Sequence, residues 1–247
     1  MRSYAGFISL IVLTLLAGGC SATPSNFMAE RVTFITTDNV IIISDWYKPN
    51  APNGKAVLLL HMMPAVRGSW DTLAQRLTQE GYHILAIDLR GHGESVNQNG
   101  ATLDYKKFID AQHQAYALDV AASMDFLREQ GFDASVVSVG GASIGANLAL
   151  NALHAYPTLT HVFALSPGLN YRGVTTQSSV MGLDADQKIF LVASAEDEYS
   201  AQSIATLHKT AGSHSTITHY NDNAGHGTTM FEKHPELMGE ITAWLKQ

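Results

Sequence analysis

A serine set between glycines, an acidic cluster and a glycine-flanked histidine follow one another along this chain, and together they carry its most reactive chemistry. Gly141-Ala142-Ser143-Ile144-Gly145 lies between an apolar run and a helical pattern. A residue on so tight a strand-to-helix turn takes a strained backbone conformation, and bulk two positions to either side would clash. The serine hydroxyl is thereby lifted above the sheet edge, while the first amides of the helix offer donors for developing negative charge. Serine becomes a nucleophile only when a base takes its proton, and an imidazole base needs an acid to orient it. The acids in the right order are Glu196, Asp197 and Glu198, just after an apolar strand, and Asp222. The base is His226, in Asn223-Ala224-Gly225-His226-Gly227 ahead of the final helix. Such a set does acyl transfer through a covalent intermediate.

These groups are far apart in sequence, so the fold must bring them to one edge. Ala56–Leu60, Tyr82–Ile87, Val136–Val139, His161–Leu165, Lys188–Ala193 and Thr216–Tyr220 read as strands, several of them apolar throughout as in a sheet buried on both faces. Helical patterns over 70–80, 108–130, 144–155, 203–211 and 235–245 alternate with them. This β-α alternation predicts an α/β fold, a three-layer α/β/α sandwich with a mostly parallel sheet. Arg31–Thr36 and Val40–Tyr47, joined by Thr37-Asp38-Asn39, add an antiparallel N-terminal hairpin. No repeat or linker divides residues 30–247, so a single domain is expected. Asp197 and His226 both follow strands, at the end of the sheet where open α/β folds bind ligands.

Leu60-His61-Met62-Met63-Pro64, Asp88-Leu89-Arg90-Gly91-His92-Gly93-Glu94-Ser95, the Ser143 pentapeptide, Asp197 and Gly225-His226 occur in an order that resembles the α/β-hydrolase family. The resemblance extends over most of residues 31–247. It implies Ser143 as nucleophile, His226 as general base and then acid, and Asp197 as the orienting carboxylate. It also implies an oxyanion hole made by the backbone N–H groups of Met63 and Ile144. Where members commonly carry glycine after the first-loop histidine, this chain has Met62, which leaves open whether Met62 or Met63 donates. The His92 loop is implied to be structural, and His61 to position backbone by a hydrogen bond. The remaining histidines, among them His83, His113, His154 and His161, read as surface or helix residues.

Composition narrows the alternatives. Of 247 residues 46% are hydrophobic, as in a packed globular protein, and 15 Lys+Arg against 22 Asp+Glu give a net charge of −7. With no basic run longer than Lys106-Lys107, nucleic acid is not an expected partner. The single cysteine excludes an intrachain disulfide. His-Glu-x-x-His is lacking, as are the glycine spacing and lysine of phosphate loops, so neither metal nor cofactor is expected.

The N-terminus reads as an address. Arg2 precedes an apolar run over Ala5–Ala17 that is too short for a confident membrane span. Leu16-Ala17-Gly18-Gly19-Cys20 resembles a bacterial lipobox, with its leucine one residue further from the cysteine than is usual. That resemblance implies a signal peptide over residues 1–19, lipid attachment at Cys20, a tether over residues 20–29, and a lipid-anchored protein of the bacterial cell envelope. Ser21 is similar to the residue that sends such proteins to the outer membrane.

The expected activity is hydrolysis of small or medium carboxylic esters, a small-molecule ester being the partner. Larger hydrolases of the family often insert a helical cap after the strand read at His161–Leu165; here residues 166–187 leave room for a loop or one helix. Met62, Met63, Val66, Leu169, Val174, Val180 and Met181 are apolar candidates for the pocket wall. The same triad would also serve an amide, peptide or thioester hydrolase. A non-catalytic envelope lipoprotein using the fold as a binding module is the alternative from another class.

Overall fold

The computed structural model describes residues 29–247. The expected signal peptide, Cys20 and the tether up to residue 28 lie outside the described residues.

The chain opens with β1 (Glu30–Ile35), β2 (Val40–Tyr47), β3 (Ala56–Leu60), α1 (Asp71–Gln79) and β4 (His83–Ile87). It continues through β5 (Asn97–Gln98), β6 (Ala101–Thr102), α2 (Asp110–Gln114), α3 (Tyr116–Glu129), β7 (Val137–Ala142) and α4 (Ile144–Ala155). Then come β8 (His161–Leu165), β9 (Asn170–Tyr171), β10 (Val174–Thr175), β11 (Lys188–Ser194) and α5 (Glu198–Ala211). β12 (Ser215–Tyr220), α6 (Met230–Lys233) and α7 (Leu237–Trp244) complete it. The main sheet runs β12-β11-β8-β7-β3-β4-β2-β5-β6, and β1 pairs with β2. Pairing is parallel from β12 to β4 and antiparallel from there on, including the N-terminal hairpin.

The period of two along each strand divides the core into two layers. Ala56, Leu58 and Leu60 of β3 pack with Val120 and Leu127 of α3, Leu148 of α4 and Ile204 of α5. Val57 and Leu59 face the opposite way, with Leu73 and Leu77 of α1, Met230 of α6, and Ile241 and Trp244 of α7. Each of these fully buried leucines contributes about 2 kcal/mol relative to exposure. The three-layer sandwich with a mostly parallel sheet and an antiparallel N-terminal hairpin, expected from the sequence, is therefore the observed fold.

One local reading needs correction, one element was not foreseen, and one alternative left open by the sequence is resolved. The helical stretch anticipated over 108–130 starts only at Asp110 and breaks at Ala115, between α2 and α3. Phe108 is extended (ψ 136°), and its ring lies against Gly91, where even a methyl group would come within 2.8 Å of it. The hairpin β5–β6 was not foreseen, although its Asn99-Gly100 turn, with φ of 50° and 83°, is the favoured two-residue type. Residues 166–187 form no α-helix. They carry the β9–β10 hairpin, whose turn residues Arg172 and Gly173 again have positive φ, of 52° and 81°.

Chain order reverses between β3 and β7. From β3 the chain moves on to β4 on one side, whereas β7, β8, β11 and β12 progress to the other. The loops leaving β3 and β7 thus diverge, which opens a crevice at the carboxyl edge of the sheet. Registers Leu60↔Gly141, Ala142↔Leu165, Leu165↔Val192 and Ser194↔Tyr220 level the strand ends. As a result Met62-Met63, Ser143, Ser166, Asp197 and His226 all sit on loops or turns leaving the same edge.

The β7–α4 turn has no room for side chains beside the serine. A Cβ at Gly141 would fall 2.1 Å from the Gly145 carbonyl oxygen, and one at Gly145 would fall 2.3 Å from that of Leu60. These neighbours are backbone and cannot swing aside. Gly145→Ala is expected to destabilise the protein by about 2 kcal/mol or more, read as a lower urea midpoint at unchanged m-value. An unaltered midpoint would mean that α4 can retreat from β3 without cost.

Candidate active site

Ser143 occupies the turn itself, with φ 55° and ψ −121° and only 8% exposure. Its amide donates to the Leu165 carbonyl (2.8 Å) and its carbonyl accepts from Asn147 (3.1 Å), so both sides of the strained residue are tied. Ile144 begins α4, and its N–H is one of the amides a helix leaves unpaired at its start.

His226 meets Asp197 across 2.6 Å, Nδ1 to Oδ2. A carboxylate can only accept, so Nδ1 carries the proton and Nε2 keeps its lone pair. Burial by itself would raise the Asp197 pKa. Hydrogen bonds from His226, Ser200 and Ser166 outweigh it and hold the carboxyl below its ordinary value. Asp197 is therefore an anion throughout the neutral range. Its rivals point elsewhere: Glu196 and Glu198 are exposed, and Asp222 pairs with His234 at 3.1 Å.

Residues not singled out from the sequence complete this arrangement. Ser166, fully buried with φ 51°, accepts from the Gly227 amide (2.9 Å), directly after His226. Tyr171, from β9, places its ring edge-on to the imidazole at 6.4 Å between centroids and its hydroxyl 2.9 Å from Ser200 Oγ. The phenol also donates to the Ser166 carbonyl at 3.4 Å. Burial, with Asp197 nearby, pushes the Tyr171 phenol up to about 12, so it stays protonated. The available signal was positional: Ser166 follows β8 at the carboxyl edge, where its neighbours also gather.

The first loop is set by His61. This imidazole is fully buried, and burial lowers its pKa to about 4, so it is neutral. Nε2 accepts from the Leu89 amide (3.0 Å), which leaves Nδ1 to donate to the Met62 carbonyl (2.8 Å). In a planar trans peptide the N–H points opposite to the C=O, so the Met63 N–H is turned away from His61. Among the described residues no acceptor engages it. The Met62 side chain takes a different course: its sulfur lies 4.0 Å from Thr228 Oγ1, over Gly227.

His92 stacks on Tyr105 at 3.8 Å between centroids and lies against His61, away from the acid–base pair. Its loop is braced by charge. Asp88 accepts from the Arg67 and Glu94 amides (2.8 and 2.9 Å) and pairs with the Arg67 guanidinium, while Arg90 Nε meets buried Asp119 at 2.8 Å. His113 belongs to helix α2 but is buried, bonded to the Tyr116 hydroxyl at 3.0 Å. Of the apolar candidates for a pocket wall, Val174 and Val180 go into the core beneath α4, whereas Met181 faces solvent. Among the described residues no three of His, Cys, Asp and Glu come together as metal ligands.

A family model described as serine aminopeptidase, S33, matches residues 51–183. That stretch includes the Met62-Met63 loop and the Ser143 turn and ends before Asp197 and His226. The chain is 32% identical over 119 residues to the bifunctional esterase/perhydrolase DCH of Acinetobacter calcoaceticus, covering 47% of this chain and 37% of that protein. It spans about half or less of the length of the curated relatives it matches. Among solved structures, the Pyrococcus furiosus esterase Pf2001 superposes with a TM-score of 0.71 at 19% identity, over 91% of this chain and 95% of the other. XC6422 of Xanthomonas campestris, described as an a/b serine hydrolase without lid, gives 0.66 at 15% identity, over 89% and 94%. These structures share the fold, and the family model takes in more than half of the sequence: the chain belongs to the α/β-hydrolase family described as serine aminopeptidase, S33.

Proposed function

We propose that the protein is a serine carboxylic-ester hydrolase working through an acyl-enzyme. The observation that supports this most is the 2.6 Å contact of His226 with Asp197 on the same sheet edge as Ser143 in its strained turn. In this reading Ser143 Oγ attacks the ester carbonyl carbon and its proton passes to His226 Nε2. The imidazolium that forms is stabilised by Asp197, already anionic and aligned. The tetrahedral oxyanion accepts from the Met63 and Ile144 N–H groups, and neither amide needs to break another bond to donate. Collapse expels the alcohol, which takes the proton from His226. Water then enters and its oxygen attacks the acyl carbon as His226 takes its proton; the Ser143 Oγ–acyl bond breaks, the proton passes from His226 to Oγ, and the acid leaves. The short 166–187 insertion, which among the described residues forms no α-helical cap, supports substrates of small or medium size. The esterase named among the relatives agrees with ester chemistry; amide, peptide or thioester bonds would use the same steps.

The N-terminal segment adds a location to this proposal. Residues 1–19 serve as a signal peptide, and Cys20 carries lipid that holds the hydrolase in the bacterial cell envelope. One acyl chain binds a membrane only marginally, so stable anchoring would need more than one.

Fluorophosphonate labelling of residues 21–247, alongside a p-nitrophenyl ester series, tests the chemistry. Wild type is expected to be labelled and to turn over the short esters, and Ser143→Ala to lose both, with a fall in kcat of at least about 10³-fold. A well-folded wild type that is never labelled would exclude the mechanism and favour the binding module.

The acylation rate should rise with pH as the base loses its proton, because only a neutral imidazole accepts one. Asp197, held low, remains ionised over that whole range and adds no second step. A flat profile between about pH 5 and 9 would remove His226 from the role of base.

In bacteria expressing the full chain, an alkynyl fatty-acid label should enter the protein and be lost in Cys20→Ser. Equal labelling of both would place any lipid elsewhere.

A further inference from the structure

Beside the oxyanion loop lies a cleft of about 400 Å³ whose walls include Met63, Tyr105, Lys106, Phe108, His113 and Arg172. No carboxylate lines it. In a chain of net charge −7, a cleft bearing two cations and no acid is a local reversal of sign. Neither Lys106 nor Arg172 is paired with a carboxylate among the described residues. The neighbouring acid, Asp104, is engaged with the Lys106 amide (3.1 Å) and with Lys107 (3.7 Å). Asp110, at the start of α2, is the other acid whose charge reaches His113.

The cleft is joined to the reacting serine on both sides. Met63 supplies a wall and is also the residue whose N–H is free for an oxyanion. Arg172 follows Tyr171, and the two-residue turn sends these chain neighbours to different places. Tyr171 reaches Ser200 and His226, whereas Arg172 lines the cleft. The hairpin that holds them is well anchored. The Tyr199 hydroxyl bonds both the N–H (2.9 Å) and the carbonyl (3.1 Å) of Asn170, and Asn147, buried in α4, donates to the Val174 carbonyl (2.7 Å). Lys106 lies 6.0 Å from the centre of the Tyr105 ring, so its charge stands over an aromatic wall. Arg172 also acts on His113: burial first, and then the Arg172 charge, lowers the pKa of that imidazole. His113 is thus kept uncharged beside the two cations.

We propose that this cleft binds an anionic group of the substrate: the esters taken by the protein carry a second group, a carboxylate or a phosphate, that Arg172 and Lys106 hold while the scissile carbonyl lies at Ser143. This rests on the serine-hydrolase reading above. The rings of Tyr105 and Phe108 accept the apolar stretch between the two ends of the molecule. Arg172 offers a planar fork suited to either oxyanion, and Lys106 adds a point charge.

The test compares each charged ester with a neutral counterpart. 4-Nitrophenyl hydrogen glutarate is set against its methyl ester, 4-acetoxybenzoate against methyl 4-acetoxybenzoate, and 4-acetoxyphenyl phosphate against its dimethyl ester. The first two pairs place the carboxylate on the acyl or the alcohol side, and the third asks whether phosphate is the better anion. In at least one pair kcat/KM should favour the charged ester by about three- to tenfold, the range for two solvent-exposed ion pairs. The gain should lie in KM, and it should shrink toward unity in about 0.5 M salt. It should also be lost in a Lys106→Gln/Arg172→Asn double variant, asparagine being tolerant of the positive φ at 172. The readout is a ratio within one protein, so a general loss of activity cancels. If no charged ester is favoured, or the ratio survives in the double variant, while Ser143 is still labelled and neutral esters are cleaved, the anion site is overturned and the hydrolase reading stands. If no ester is cleaved and Ser143 is not labelled, the hydrolase reading falls and takes the anion site with it.

Discussion

Helix α4 approaches the β3–β7 edge so closely that a single methyl group at residue 145 would sit 2.3 Å from the Leu60 carbonyl oxygen. The rest of the site follows from that approach. It forces the chain to turn from strand to helix within one residue, and that residue, Ser143, absorbs the cost as a positive φ. The strain persists because both ends of the turn are held, by the Leu165 carbonyl on one side and the first turn of α4 on the other. Close packing at a site with no side chains is thus what fixes Ser143 in its strained turn at the sheet edge.

Around that turn, polar groups are satisfied in a fixed order and leave particular atoms free. Asp197 accepts from His226 and from the Ser200 amide, so its charge is compensated although it is partly buried. Ser166 links two of the loops, since its hydroxyl receives the Gly227 amide. His61, neutral in the core, turns the Met62 carbonyl toward itself and thereby turns the next amide outward. Each bond made on the inner side leaves a donor or lone pair on the crevice side. Preorganisation of this kind costs nothing at the moment of reaction, because its cost has already been met in folding.

The 166–187 insertion does more than leave the crevice uncapped. Its hairpin brings a phenol beside the His226 imidazole and a guanidinium to the neighbouring cleft, and it is tied to α4 through Asn147 and to α5 through Tyr199. A short loop anchored at several points can present two different side chains with little mobility.

Much of this was legible in the sequence. The apolar strands, their alternation with helices and the Gly-x-Ser-x-Gly spacing specified a mostly parallel sheet with a serine at a tight turn, because periodicity and glycine placement are local properties. The late start of the 108–130 stretch was not legible. It goes with the Phe108 ring packing against Gly91, a contact between segments distant in the chain. The same is true of Ser166, Ser200 and Tyr171, whose residue types are common and whose importance arises only where three strand ends meet. The acid was also ambiguous. Glu196, Asp197, Glu198 and Asp222 were all in acceptable order, and only the position of the chain after β11 turned Asp197 inward, left the two glutamates in solvent and paired Asp222 with His234. What the sequence by itself determined was the kind of fold and the kinds of reactive group, since these follow from patterns along the chain. Which acid faces the histidine, which amide is free and which cations share a cleft were decided by tertiary structure, since each is a distance between residues the chain keeps far apart.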